Sequence, residues 1–160
     1  MKTETVWMII GIIICILVVF FPLVHLVKRR WKKEAPLPID EMEGTEFEKF
    51  CAGLLEKKGF IDVNVTKASG DFGVDILAEK DGVTYAIQCK RYADPVGVKA
   101  IQEVYAGREY YDRMVGAVLT NQYFTAPAVE AAKKLKILLW DRGYLESMIE
   151  EDETCNQSLR

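Results

Sequence analysis

Three polar residues near the middle of the chain have the types and spacing for hydrolysis at a phosphate. Asp75 follows a glycine-rich stretch, and Gln88 and Lys90 form a Gln-x-Lys motif further along. A carboxylate and an amide oxygen suit Mg²⁺, which prefers oxygen ligands. A lysine contacts a phosphate as a compact positive charge. These groups together indicate metal-assisted cleavage of a phosphodiester.

A tight hairpin is predicted to bring these residues together. Alternating and apolar residues indicate strands over 74–79 and 83–90. Asp81 and Gly82 between them readily adopt the positive φ angles of a two-residue hairpin loop. A four-residue loop would give the same register, whereas a three-residue loop would shift it by one and separate the polar side chains.

In this register the three polar side chains share one face. Asp75 falls opposite Gln88, and facing residues have Cβ atoms about 4.5–5.5 Å apart. Lys90 lies two positions beyond Gln88 and points to the same side. A simple ion pair between Asp75 and Lys90 at the strand ends remains the alternative. The predicted buried face holds Val74, Ile76, Ala78, Tyr85, Ile87 and Cys89.

The surrounding elements are predicted in the order αβββαβαβα. Thr45 and Glu48 form a Thr-x-x-Glu capping box for the first helix, which Gly59 ends. The expected fold is α/β, a mixed central sheet flanked by helices. The other elements are a strand with alternating Ile61, Val63 and Val65, a helix from Val98, a strand over 115–120, a helix capped by Thr125, a strand over 137–140 and a helix over 144–149.

Residues 1–33 have the composition of a membrane anchor. Residues 6–27 form an apolar run long enough to span a bilayer as one transmembrane helix. The basic run 28–33 follows at once and places that end in the cytoplasm, and this charge order disfavours a cleaved signal peptide. The prediction is a single-pass protein of the cell membrane, in contact with the lipid bilayer through residues 6–27, with its folded domain cytoplasmic.

The remaining chain is predicted to contain one folded domain. Residues 34–43 indicate a stiff, proline-containing linker, 44–150 the domain, and 151–160 a polar tail. The four cysteines include no Cys-x-x-Cys pair, which disfavours a zinc site. The only histidine, His25, lies in the apolar run. Chemistry that needs a histidine in the folded domain is therefore excluded.

The sequence resembles the Mrr-like restriction endonucleases of the PD-(D/E)xK nuclease superfamily. The GDFGVDI and QCKRY contexts around Asp75 and the Gln-x-Lys motif make this resemblance specific. Two departures are that Val74 stands where the superfamily pattern has proline and that a separate DNA-recognition module is not evident. The matching stretches are GTEFEKFCAGLLEKKGF, VTKASGDFGVDILAE, AIQCKRY, VGVKAIQEVYAG and AVLTNQYFTAPAVEAA.

The resemblance implies a restriction-endonuclease-like core and a role for each matched residue. Asp75 would be the metal carboxylate, and Gln88 would replace the usual second acidic ligand. Lys90 would be the catalytic lysine. Glu48 would be the first-helix glutamate that reaches the Mg²⁺ site, with the capping box as its alternative role. Asp71, in the glycine-rich loop, is a less certain member of this set.

DNA is the partner that the resemblance implies. The net charge of −3 predicts weak, salt-sensitive binding through few phosphate contacts. A double-strand cut needs two active sites or two visits, which is compatible with a homodimer. The predicted DNA contacts are Lys67, Arg91, Tyr92, Lys99 and Gln102.

The function expected from these observations is that of a membrane-anchored, Mg²⁺-dependent endodeoxyribonuclease that restricts foreign DNA. One alternative is a catalytically inactive, membrane-tethered module that binds nucleic acid or another protein. The other is a structure-selective repair nuclease or junction resolvase, which would share the fold. Cleavage of linear duplex compared with junctions separates the two nuclease hypotheses.

Overall fold

The structure, a computed structural model, describes residues 38–66 and 72–158. The described helices are α1 (Pro38–Glu41), α2 (Gly44–Lys57), α3 (Val98–Tyr110), α4 (Ala126–Leu135) and α5 (Arg142–Ser158). The described strands are β1 (Ile61–Val65), β2 (Ile76–Lys80), β3 (Val83–Lys90), β4 (Val115–Thr120) and β5 (Ile137–Trp140).

The five strands form one mixed sheet in the order β1-β2-β3-β4-β5. The pairs β1–β2 and β2–β3 are antiparallel, and β3–β4 and β4–β5 are parallel. Helices α2 and α5 contribute to the core on one side, and α3 and α4 to the core on the other. The predicted α/β fold with a mixed sheet flanked by helices is confirmed.

Strand β1 lies where predicted, but its apolar residues do not share one face. Ile61 pairs with Glu79, whereas Val65 pairs with Ile76, so the register shifts between them. Asp62, at the shift, has a φ of 50°. A bulge of this kind turns the side chain before it to the opposite face. Ile61 is consequently 58% exposed.

The ends of two helices differ from the sequence prediction. Helix α2 begins at Gly44, and Glu46 Oε2 accepts a hydrogen bond from the Glu43 backbone N at 3.0 Å. The predicted Thr45–Glu48 capping box is therefore wrong, because the helix begins before Thr45. Helix α5 continues to Ser158, well beyond the predicted end at residue 149. The predicted Thr125 cap of α4 is confirmed by its hydrogen bond from the Ala128 backbone N.

Part of the predicted linker packs onto the domain. Ile39 in α1 is 2% exposed and belongs to the core. Asp40 accepts two hydrogen bonds from the Arg142 guanidinium, each 3.0 Å long. The hydrogen bond with Asp40 raises the pKa of Arg142 and outweighs burial, which acts to lower it. The short helix is thus attached to the beginning of α5 by an ion pair and an apolar side chain.

The predicted membrane anchor at residues 6–27 lies outside the described residues. Within 38–66 and 72–158, no helix is both long enough and apolar enough to cross a bilayer.

Candidate active site

The β2–β3 hairpin has the predicted two-residue turn. Asp81 and Gly82 have φ angles of 52° and 76°. Lys80 pairs with Val83, and the ladder continues in the predicted register to the Ile76–Ile87 pair. The register inferred from the turn is therefore confirmed as far as Ile76.

The chain leaves the ladder just before Ile76, where Asp75 begins the candidate site. The Asp75 backbone N donates to the Ile87 carbonyl oxygen at 2.9 Å. Val74 is fully buried, but its Cγ2 lies 2.3 Å from where a Cβ on Gly107 of α3 would stand. Val74 thus faces α3, and the prediction that it shares the Ile76 face is wrong. The positive φ of Gly73, 76°, redirects the chain at this point.

The Asp75 carboxylate lies against the middle of the Gln-x-Lys motif. Its Oδ2 accepts a hydrogen bond of 2.6 Å from the backbone N of Cys89, between Gln88 and Lys90. The donor is a backbone group fixed by the strand, so this hydrogen bond does not depend on the rotamer of a donor side chain. The structure therefore brings Asp75 to the motif through the β3 backbone.

Gln88 and Lys90 both reach one carboxylate on α3, that of Glu103. Gln88 Nε2 donates to Glu103 Oε2 at 2.9 Å, and Lys90 Nζ lies 3.1 Å from the same oxygen. Lys99 Nζ lies 3.6 Å from Glu103 Oε1. The Gln88 side chain is almost fully buried, with 2% exposure. The residues of the motif thus converge on a side chain that the sequence analysis did not select.

Glu103 carries a negative charge that its neighbours stabilise. Burial acts to raise the pKa of this carboxyl. Hydrogen bonds from Gln88 and Lys90 and the charges of Lys90 and Lys99 outweigh burial, and the pKa lies below its ordinary value.

The spacing of small residues along α3 could have indicated Glu103 from the sequence. Ala100 and Gly107 lie three positions before and four positions after it, so these residues share one face of α3. Both are small and buried, which is typical of a face that another segment approaches closely. A polar residue between two small buried ones points toward that segment. Gln102, the neighbouring residue predicted from the sequence, is exposed.

Glu48 lies in the same electrostatic environment as Asp75. The Cys89 thiol is buried, and its pKa is raised first by its hydrogen bond with Cys51 and then by burial. The negative charges of Asp75 and Glu48 raise it further. Glu48 does not cap its helix, and its half-buried carboxylate lies close enough to the Cys89 thiol to act on it as Asp75 does.

Comparison with known proteins decides the family. The family model described as Restriction endonuclease (Mrr_cat) matches residues 39–149. The chain belongs to the Mrr_cat restriction endonuclease family. The match includes the α1 residues from Ile39 onward and each of the candidate residues described above.

Solved structures with TM-scores of 0.57 and 0.51 share the fold of this Mrr_cat chain. A protein of unknown function, AF1548, is 26% identical with a TM-score of 0.57, covering 66% of this chain and 65% of that one. The DNA modification-dependent restriction endonuclease AspBHI is 16% identical with a TM-score of 0.51, covering 81% and 34%. The MspJI restriction endonuclease, in complex with a 27-mer oligonucleotide, is 17% identical with a TM-score of 0.47, covering 64% and 27%.

This chain spans less than two thirds of each of these solved proteins. The curated proteins contain no match to it.

The Mrr_cat family implies a divalent cation, and the donor atoms of this chain fit one. Gln88 Oε1 is buried and has no hydrogen-bond partner within the described part of the chain. Asp75 and Glu48 add carboxylates near the same strand. No group of three or more His, Cys, Asp or Glu side chains suited to a metal occurs among residues 38–66 and 72–151. A cation held here would therefore depend on the amide oxygen of Gln88, an acceptable ligand for Mg²⁺.

The predicted DNA contacts occupy different surroundings. Tyr92 is 46% exposed beside the motif, and Gln102 is exposed on α3. Arg91 is half-buried, and its Nε has no hydrogen-bond partner in the described residues. Lys67 lies outside the residues that the structure describes.

Lys99 projects into solvent beside the site. Its side chain is 88% exposed, and it faces Glu103 across one turn of α3. Glu103 thus offsets part of the positive charge of both Lys90 and Lys99, the second of which is a predicted DNA contact.

Asn121, a second residue missed by the sequence analysis, anchors the chain that follows the motif. Its Oδ1 accepts from the Tyr92 backbone N at 2.9 Å, and its Nδ2 donates to the Tyr92 carbonyl oxygen at 3.0 Å. Nδ2 also lies 2.8 Å from Asp40 Oδ1. Asn121 is 1% exposed and directly follows β4. It therefore connects the segment after Lys90 to α1.

Proposed function

We propose that this chain is a divalent-cation-dependent endonuclease that hydrolyses DNA phosphodiester bonds. One observation carries the proposal. The Asp75 carboxylate is bound to the backbone between Gln88 and Lys90, where Gln88 holds a buried, unpartnered oxygen in this part of the fold. The Mrr_cat restriction endonuclease domain supports a nuclease of this type.

The proposed roles follow from the chemistry of each side chain. Asp75 and Gln88 Oε1 would hold the cation, and Glu48 would reach it directly or through a water molecule. When bound, the cation would polarise a phosphoryl oxygen and lower the pKa of the attacking water. Lys90, whose side chain is 19% exposed, would place its positive charge at the substrate phosphate.

We propose further that Mg²⁺ is the cation and that foreign DNA is the target. The apolar run at residues 6–27 supports anchoring in the cell membrane, and the basic run 28–33 supports a cytoplasmic nuclease domain. A nuclease held there would act on DNA close to the membrane. For this role, the family supports the activity and the sequence of residues 6–33 supports the anchor.

A plasmid-cleavage assay tests the proposed activity. The full-length chain in detergent micelles is incubated with methylated or unmethylated supercoiled plasmid in Mg²⁺, Mn²⁺ or EDTA. Asp75→Asn and Lys90→Ala are compared with Lys134→Ala, an exposed lysine on α4. We expect cation-dependent cleavage by the wild type and Lys134→Ala. Both site variants should lose about a hundredfold or more, since such groups supply several kcal/mol at the transition state.

Other outcomes bear on the function, on the cation or on the target. DNA binding without cleavage would favour the tethered binding module. Cleavage of four-way junctions but not of plasmid would favour a structure-selective nuclease. Cleavage that persists in EDTA would contradict the proposed cation. A preference for one methylation state would support restriction.

A further inference from the structure

We propose that Glu103 is a positioning residue that turns the oxygen of the Gln88 amide, rather than its nitrogen, toward the cation and fixes Lys90 beside it. This inference rests on the proposed function and extends it to a residue outside the Asp75, Gln88 and Lys90 set. Glu103 itself is not required to touch the cation or the substrate.

A glutamine is an ambiguous ligand unless its surroundings choose which end faces the site. Its amide has a donating nitrogen and an accepting oxygen at opposite corners, and only the oxygen can bind a cation. An ionised carboxylate accepts hydrogen bonds and cannot donate them. Glu103, placed 2.9 Å from one end of the Gln88 amide, therefore selects the nitrogen as its own partner. The Gln88 amide oxygen therefore points away from Glu103.

The Gln88 amide oxygen, Oε1, has unusual surroundings. Gln88 is 2% exposed, so water does not generally reach its amide. Oε1 is buried and has no partner among the side chains and backbone groups that the structure describes. Buried polar atoms are nearly always hydrogen-bonded, and an orphan of this kind calls for a ligand. A cation beside the adjacent Asp75 carboxylate would satisfy it.

One oxygen of Glu103 holds both residues of the motif. Oε2 accepts from Gln88 Nε2 and also lies 3.1 Å from Lys90 Nζ. Since Gln88 and Lys90 project to the same side of β3, a single carboxylate opposite them fixes their mutual spacing. Lys99 contacts the other oxygen, Oε1, and is 88% exposed, so it restrains the carboxylate only weakly.

Close packing of α3 fixes the carboxylate in turn. A Cβ on Gly73 would lie 2.7 Å from Glu103 Cβ and 3.3 Å from Gln88 Nε2. A Cβ on Gly107 would lie 2.6 Å from the Phe72 carbonyl oxygen. The glycines thus allow the segment before Asp75 to lie directly on α3. The helix that carries Glu103 cannot shift without moving this segment.

The competing account treats Glu103 as a partner that only neutralises two lysines. In that account, removing its charge weakens cation binding by a general loss of negative potential. The loss would then be independent of Gln88. Our proposal instead requires that Glu103 acts through the Gln88 amide, so the two substitutions must not be additive.

Mn²⁺ titration of the full-length chain in detergent micelles, without DNA, separates these accounts. Glu103→Gln keeps the size of the side chain but permits either end of the Gln88 amide to face it. We expect this variant to bind Mn²⁺ about 10–100-fold more weakly than the wild type. The matched control is Glu109→Gln on the same helix, 63% exposed and paired with Arg108, which should bind Mn²⁺ as the wild type does.

A second pair of variants tests the route of the effect. Gln88→Ala should itself weaken Mn²⁺ binding. Adding Glu103→Gln to Gln88→Ala should then change the Kd by less than about twofold, because the amide that Glu103 orients is gone. Thermal melting of each variant shows whether it is folded at the titration temperature.

The outcomes distinguish this inference from the proposed function. A wild type that binds no Mn²⁺ overturns the proposed function and the inference together. A wild type that binds, with Glu103→Gln binding equally well, overturns the inference alone. A further tenfold loss when Glu103→Gln is added to Gln88→Ala also overturns it, because the effect would then not pass through Gln88.

Discussion

At the scale of single residues, the candidate site depends on which atoms face one another. Asp75 contacts a backbone N–H at 2.6 Å, which leaves its position independent of the Cys89 side chain. Gln88 and Lys90 contact one oxygen of Glu103. Neutral and charged hydrogen bonds of this kind contribute about 0.5–3 kcal/mol each. Their larger consequence here is orientation of the groups that the proposed chemistry uses.

The lowered pKa of Glu103 predicts a change in acid stability. The folded protein holds this negative charge more strongly than the unfolded chain does. The resulting stabilisation is present at neutral pH and is lost as pH falls from about 4.5, the ordinary value, through the lower folded-state pKa. Glu103→Gln should therefore be less stable at neutral pH and lose less stability on acidification.

Denaturant unfolding between pH 7 and pH 3 measures this difference. Glu109→Gln serves as the control, because Glu109 is exposed and lies outside the site. An unchanged pH dependence in Glu103→Gln would show that Lys90 and Gln88 do not stabilise the charged carboxylate in solution.

At the scale of elements, the site is built where the segment before β2 lies on helix α3. Gly107 on α3 is buried under Val74 and the Phe72 carbonyl. Phe72 also stacks on Tyr110 of the same helix, with ring centroids 3.8 Å apart. These contacts determine where the chain enters β2 and consequently where Asp75 meets the Gln-x-Lys motif.

A methyl group at Gly107 should disturb this junction. The new Cβ would lie 2.3 Å from Val74 Cγ2 and 2.6 Å from the Phe72 carbonyl oxygen. We expect Gly107→Ala to lower the free energy of unfolding by about 1–3 kcal/mol, because overpacking forces the segment away. Since Asp75 moves with that segment, DNA cleavage should fall as well. Thermal unfolding and the plasmid assay measure the two effects.

Gly53→Ala is the matched control for this substitution. Gly53 lies inside helix α2, where an added Cβ would meet nothing within 4 Å. Alanine is favoured over glycine in a helix interior by about 0.5–1 kcal/mol, so this variant should be more stable than the wild type and retain activity. Equal destabilisation by both substitutions would contradict the packing described at Gly107.

At the scale of the whole molecule, the sheet and its helices form a nuclease domain of the restriction endonuclease type. The net charge of −3 provides no general attraction for DNA, so binding should depend on a few phosphate contacts and weaken with salt in proportion to their number. The apolar run at residues 6–27 adds a proposed second partner, the lipid bilayer.

Flotation with phospholipid vesicles tests the proposed anchor. We expect the full-length chain to remain with vesicles of phosphatidylcholine and phosphatidylglycerol at alkaline pH, because a spanning helix is held by its apolar side chains. A variant that lacks residues 1–33 should stay in solution. Replacing the basic residues of 28–33 with Ser should leave the full-length variant on the vesicles. Release of that variant would indicate surface binding by charge instead.

Much of the fold was predictable because its signals are local. The turn at Asp81 and Gly82 sets the register of the hairpin through the backbone angles of two adjacent residues. The apolar runs that became β4 and β5 predicted both strands with the observed boundaries, and both faces of β4 are covered. The Thr125 cap likewise depends on neighbours within one helical turn.

Other features were not predictable because they depend on segments that meet only after folding. Helix α2 begins at Gly44, so Thr45 and Glu48 do not cap it. The chain that precedes this helix packs into the core at Ile39. The bulge at Asp62 changes which side of β1 faces the core, and alternation in the sequence does not reveal an inserted residue. Tertiary packing decided both.

The sequence by itself determined the order of the elements from α2 onward, the hairpin register as far as Ile76, and the nearness of Asp75, just before β2, to Gln88 and Lys90 on β3. Each of these follows from residues that are close in sequence, where turn geometry and periodicity act. Only the tertiary structure decided that Glu103 meets Gln88 and Lys90 and that Val74 faces α3. The physical reason is that docking a helix on a sheet depends on close packing at small residues such as Gly73 and Gly107, and this packing joins residues that no local pattern relates.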